Sequence, residues 1–112
     1  MAVKTESSPF GGTARTRVLL SLRLLGDSYA RELARVLDMP FSSVQKALRS
    51  LEKDGLVAGR ALGRTRVVTL NPRYFALDDL ERFLLRLTEP EFELKARVSS
   101  LRRRPRRTAK PL

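Results

Sequence analysis

The sequence predicts a mainly α-helical fold carrying one small β-hairpin, on three observations. Apolar residues recur at helical spacing in four separate stretches, Val18–Leu25, Tyr29–Leu37, Val44–Leu51 and Leu77–Leu87. A Met39-Pro40 step divides the second stretch from the third, because proline holds its predecessor extended and offers no amide to a continuing helix. Finally, a β-prone run from Val57 to Leu70 is interrupted by a Gly63-containing turn, as a hairpin requires.

Taken in order, residues 1–12 lack apolar periodicity and end in Gly11-Gly12, which marks a flexible tail. These glycines lack the spacing and the Lys-Ser/Thr of a phosphate loop, so they are assigned no ligand. Residues 13–88 are expected to form the folded domain. Its first helix, Arg15 to Leu25, carries Val18, Leu19, Leu22 and Leu25 on one stripe, widened by Leu20 and Leu24. A second helix has Asp27 and Ser28 as N-cap candidates and Tyr29, Leu33, Val36 and Leu37 on one side. Asp38, Met39 and Pro40 form the turn that follows.

The third helix is punctuated at both ends. Ser42 and Gln45 stand at the spacing of a reciprocal cap, which places the helix start at Ser43. Gly55 stands where a left-handed C′ glycine closes a helix. Between them Val44, Ala47, Leu48 and Leu51 make an apolar stripe, and Ser43, Gln45, Lys46, Arg49, Ser50 and Lys53 occupy the opposite face. Two β-prone runs follow around the segment Ala61–Arg64, with Arg60, Arg64 and Arg66 grouped at the expected tip. Helix, turn, helix and basic hairpin in this order are a winged helix-turn-helix.

Asn71 and Pro72 stop the second strand, and a further helix from about Leu77 to Thr88 presents Leu77, Leu80, Phe83, Leu84 and Leu87, with Leu85 outside the stripe. Both this helix and the first are apolar on more than one side, which predicts that they flank the domain as homodimer contacts. After Pro90, residues 89–101 form an amphipathic segment with Leu94, Val98 and Leu101 at i, i+4 and i+7. Residues 102–112 form a basic tail without apolar periodicity, expected to be disordered when free.

The charge balance narrows the partner. Lys and Arg number 23 against 12 Asp and Glu in 112 residues, a net +11, which predicts a polyanionic partner with nucleic acid first. Arg102, Arg103, Arg104, Arg106, Arg107 and Lys110 supply six of those charges with no acid among them. Each would release counterions from a phosphate backbone, as a sequence-independent affinity arm does.

Enzymatic readings find little support. Cysteine and histidine are both absent, which removes disulfides, thiolate metal sites and the commonest general base and metal ligand together. Asp78 and Asp79 are adjacent, so on a helix they do not face each other as an acid/base pair would; first-turn acids complement the helix dipole instead. No enzyme, cofactor or metal site is expected. No apolar run approaches a membrane span and the first residues lack an apolar signal region, so a cytoplasmic protein without a membrane partner is expected.

The stretch from Thr16 to about Leu87 resembles bacterial winged-helix transcriptional regulators of the ArsR/MarR kind, most closely in ARELARVLDMPFSSVQKALRSLEKDGLV and then in GRTRVVTLNPRYF. The resemblance implies that residues 43–53 enter the major groove of double-stranded DNA, and that Ser42, Ser43, Gln45, Lys46 and Arg49 are candidate contacts. Phe41 departs from the pattern: many relatives have a polar residue there, and stapling to the helix is expected instead. The resemblance also implies no inducible metal release through soft ligands, since those members use the Cys or His clusters this chain lacks; a carboxylate site or an organic small-molecule effector stays open.

The combined expectation is a homodimeric, sequence-specific regulator on an inverted-repeat operator, with Arg60, Arg64 and Arg66 of the wing on phosphate or the minor groove. Two other readings are compatible with the residues. One is a protein-interaction or antitoxin-like module acting through the apolar outer helices. The other is a non-specific nucleic-acid binder driven by the arginine tail, against which the polar, uncharged Ser43 and Gln45 weigh.

Overall fold

The computed structural model describes residues 9–103. Their elements run α1 (Thr13–Leu25), β1 (Asp27–Ser28), α2 (Ala30–Leu37), α3 (Phe41–Lys53), β2 (Val57–Leu62), β3 (Thr65–Leu70), α4 (Leu77–Thr88) and α5 (Phe92–Arg103). The strands form one antiparallel sheet in the order β1-β3-β2. The fold is mostly helical with a small three-stranded sheet, a winged helix-turn-helix.

Helix α1 is the axis of the core. Val18, Leu19, Leu20, Leu22 and Leu25 are each at most 6% exposed, because α2, α3, α4, α5 and β3 surround the helix. Most of the apolar breadth read from its sequence is thus consumed inside one chain, and of the residues that widen the stripe Leu20 is buried while Leu24 is half-buried. Helix α4 keeps its expected bounds and turns Leu80 and Leu84 inward, but leaves Phe83 and Leu85 nearly half exposed. Phe10 covers part of Phe83, with ring centroids 5.8 Å apart.

Helix α5 buries Leu94 and Val98 in the same core, with Leu101 packed alongside, and it continues to Arg103, two residues past the expected boundary. Its arginines serve as C-caps for other helices. The Arg97 Nη1 donates to the Val36 carbonyl at 2.9 Å, at the end of α2. The Arg102 Nη2 donates to the Leu24 and Leu25 carbonyls that end α1. Positive charge at helix C-termini is favourable because the last carbonyls are unpaired and the dipole is negative there.

The helix-turn-helix is joined by two backbone locks. Asp38 takes the left-handed conformation at φ 56°, with its amide on the Arg35 carbonyl and that of Met39 on the Ala34 carbonyl. Gly55 repeats the arrangement after α3 at φ 81°: its amide reaches the Glu52 carbonyl and that of Leu56 the Leu51 carbonyl, each at 3.0 Å.

Both expected N-caps are corrected. Asp27 and Ser28 form β1, paired to Thr69 and Val68, and Tyr29 is the cap residue of α2. Ser28 instead donates its hydroxyl to the buried Glu32 carboxylate at 2.6 Å. Helix α3 begins at Phe41, with Pro40 as its cap residue and no side-chain cap. The Pro40 carbonyl accepts the amides of Ser43 and Val44, so the Ser42/Gln45 box does not form. The hairpin is tighter than expected, since Leu62 pairs with Thr65 and only Gly63 and Arg64 make the loop. Gly63 lies at φ 64°, the glycine that a two-residue turn wants at its first central position.

Candidate nucleic-acid interface

Helix α3 divides cleanly by face. Val44, Ala47, Leu48 and Leu51 are buried, while Ser42, Gln45, Lys46, Arg49 and Lys53 are exposed and Ser43 is half-buried. Because the helix begins two residues early, Ser42 and Ser43 lie in its first turn, and neither hydroxyl is consumed by a cap. Ser42, Lys46, Arg49 and Lys53 then follow one another at i, i+4, i+7 and i+11 along the outer face. The first turn contains no acid, which leaves the positive end of the helix dipole uncompensated and suited to phosphate.

The acids that would neutralise this face are drawn elsewhere. Asp54 pairs with Arg15 at 2.8 Å, and the same guanidinium holds the Ser50 hydroxyl and the Phe10 carbonyl, tying α1 to the end of α3. Glu52 pairs with Arg66. Gln45, Lys46, Arg49 and Lys53 make no hydrogen bond or ion pair among the described residues. An outward row of free donors beside spent carboxylates is an electrostatic footprint for a polyanion.

Two contributors were not among the candidate contacts read from the sequence, although Lys53 was placed on the polar face of the helix. Lys53 completes the row at the last turn of α3. Arg31 of α2 lies 4.4 Å over the Phe41 ring, so Phe41 acts as a platform for a neighbouring cation and not as a staple to its own helix. No local pattern announces that pair, which depends on the crossing of α2 and α3.

The three wing arginines do not form one cluster. Arg64 sits in the turn, and Arg60 pairs with Val67 while Arg66 pairs with Ala61, so Arg60 and Arg66 point to opposite faces of the hairpin. Arg60 and Arg64 are exposed and unpaired among the described residues. Arg66 is bidentate on Glu52, with Nη1 on Oε2 and Nη2 on Oε1, each at 2.7 Å. The hydrogen bonds to Glu52, then its charge, raise the guanidinium pKa above the usual arginine value. In the basic tail, Arg102 is committed to the end of α1 and Arg103 is helical in its backbone. Arg104, Arg106, Arg107 and Lys110 lie outside the described residues.

The sequence carries a recognisable family signature over this unit. A family model described as sugar-specific transcriptional regulator TrmB matches residues 15–78, more than half of the chain. The chain belongs to the TrmB family. The TrmB match runs from the start of α1 into the first turn of α4, so it contains the whole helix-turn-helix and the wing and stops short of α5. Family and fold are those of DNA-binding transcriptional regulators, not of enzymes.

Among solved structures, the C30AH42A mutant of Lactococcus lactis ZitR superimposes with a TM-score of 0.56 at 16% sequence identity, covering 97% of this TrmB-family chain and 73% of that one. At that identity the likeness concerns the fold. No curated protein matches the sequence. Among the described residues, no helix is long and apolar enough to cross a membrane, and no group of three or more Cys, His, Asp or Glu is placed to hold a metal.

Proposed function

We propose that this TrmB-family protein is a sequence-specific double-stranded DNA-binding regulator acting as a homodimer on an inverted-repeat operator. The observation that carries the reading is the outward face of α3, whose donors are exposed and unpaired while Glu52 and Asp54 are neutralised by Arg66 and Arg15. Gln45 suits bidentate pairing with adenine, and Lys46 or Arg49 with guanine, each discriminating by about 1 to 3 kcal/mol. Ser42 and Ser43 reach base edges or phosphate from the first turn. Arg31, Arg60 and Arg64 grip the backbone on either side and carry little base information. The likeness of residues 30–57 to ArsR and MarR regulators supports the same groove placement.

Support for the homodimer comes from exposed apolar side chains on α4 and beside it, Phe83 and Leu85 at 47% and 45% and Phe75 and Phe92 at 92% and 75%. Two recognition helices set about 34 Å apart would enter successive major grooves. Selection of bound sequences from random duplex DNA, with the mass of the complex measured alongside, tests the reading. A palindromic motif bound by two chains is expected. Recovery of no motif, or a motif bound by one chain, would reject specificity or the dimer respectively.

A further inference from the structure

The outer half of the wing has no apolar anchor, since residues 60–66 are all exposed. Something other than the core must therefore hold its direction relative to α3. We propose that Glu52, Arg66 and Gly59 form a latch that sets the angle between the wing and the recognition helix, which makes Arg66 a positioning residue and not a DNA contact. This inference rests on the reading of α3 and the wing as a DNA interface.

The geometry has two independent parts. The first is the fork-to-fork pair, in which both Arg66 Nη atoms meet both Glu52 oxygens at 2.7 Å. A planar guanidinium held at two points fixes orientation as well as distance, which a single ion pair does not. It joins β3 to the last turn of α3, across the connector through Gly55 and Leu56. The second part is the seat on β2. A Cβ at Gly59 would come within 2.6 Å of the Arg66 Cζ and 2.7 Å of Nη2, so any side chain there would push the end of Arg66 aside and off the geometry in which it meets Glu52. Gly59 has no positive φ to explain its presence; close approach by Arg66 does.

The alternative is that Arg66 binds phosphate and that Glu52 merely competes for it. The two ideas predict opposite signs for one substitution. If Glu52 competes, Glu52→Gln frees a cation, removes a negative charge from the interface and tightens binding. If Glu52 latches, the same change loosens the wing and weakens binding.

The test uses the full chain with Glu52→Gln, Gly59→Ala, Arg66→Ala and the exchanged pair Glu52→Arg with Arg66→Glu. Two quantities are read: amide hydrogen exchange of residues 59–66 in the free protein, and affinity with its salt dependence on the selected duplex. The latch predicts faster exchange in all three single variants and affinity lower by about three- to fivefold, the size of an exposed pair. The exchanged pair should recover the protection. Tighter binding by Glu52→Gln, or unchanged exchange in the single variants, would overturn the proposal. So would a salt slope reduced by about one in Arg66→Ala with exchange unaltered, the mark of a phosphate no longer neutralised. Exchange needs no DNA, so the latch is decided even if selection returns no motif and the DNA reading itself fails.

Discussion

Arg49 stands free on α3 because its natural intrahelical partner is taken. Glu52 is three residues away, close enough for a helical ion pair, but both of its oxygens are occupied by Arg66. Arg49 is exposed and makes no hydrogen bond or ion pair among the described residues. Arg49→Ala should weaken operator binding by about 1 to 3 kcal/mol and binding to random duplex far less. Titration of both duplexes at one salt concentration checks this, and equal losses would contradict base reading. The residue types of the recognition face could be named in the sequence, since exposed positions follow from the apolar stripe. What could not be named was which cations are spent: Arg15, Arg66, Arg97 and Arg102 each hold a partner at least fourteen residues distant, and no local spacing encodes such pairs.

Among the elements, those with long apolar periodicity were legible, α4 to its last residue. The beginnings of α2 and α3 were not, because a cap is a competition between side chain and backbone. At α3 the Pro40 carbonyl wins, and at α2 the candidate cap residues are recruited into β1. A two-residue strand leaves no pattern to read; it exists because β3 offers it an edge. The C-terminal end of α3 was legible because Gly55 has a conformational duty there. At φ 81° with open space around the Cβ position, Gly55→Ala should cost only the left-handed backbone penalty, about 1 kcal/mol. Urea unfolding should show a lower midpoint at unchanged slope. A destabilisation several times larger would mean that the site is crowded as well as left-handed.

At the scale of the whole molecule, α5 closes the fold by capping α1 and α2 and filling the core with Leu94 and Val98. Leu101 and Arg102 thus belong to the folded unit, apart from the rest of the basic C-terminal segment. Truncation after Ser100 would remove Leu101 and the Arg102 cap, and stability would fall with binding. Truncation after Arg103 removes only Arg104, Arg106, Arg107 and Lys110 from the charge count. The shorter chain should keep its thermal midpoint, lose affinity for every duplex alike and show a shallower salt dependence, by up to about 0.9 for each phosphate that the tail had neutralised. An unchanged slope with an unchanged midpoint would take the tail off the phosphates.

The order of the helices and the hairpin, the buried face of α3, the positive charge and the glycine that ends α3 were determined by sequence alone, because each is a local matter of periodicity, backbone conformation or composition. The tertiary structure decided where that surplus of apolar and cationic side chains goes. Neighbouring elements absorb most of the apolar breadth of α1, and among the described residues distant partners engage six arginines, Arg15, Arg17, Arg23, Arg66, Arg97 and Arg102. Burial and pairing are properties of the packed chain, so they could be read only once the chain had been folded around α1.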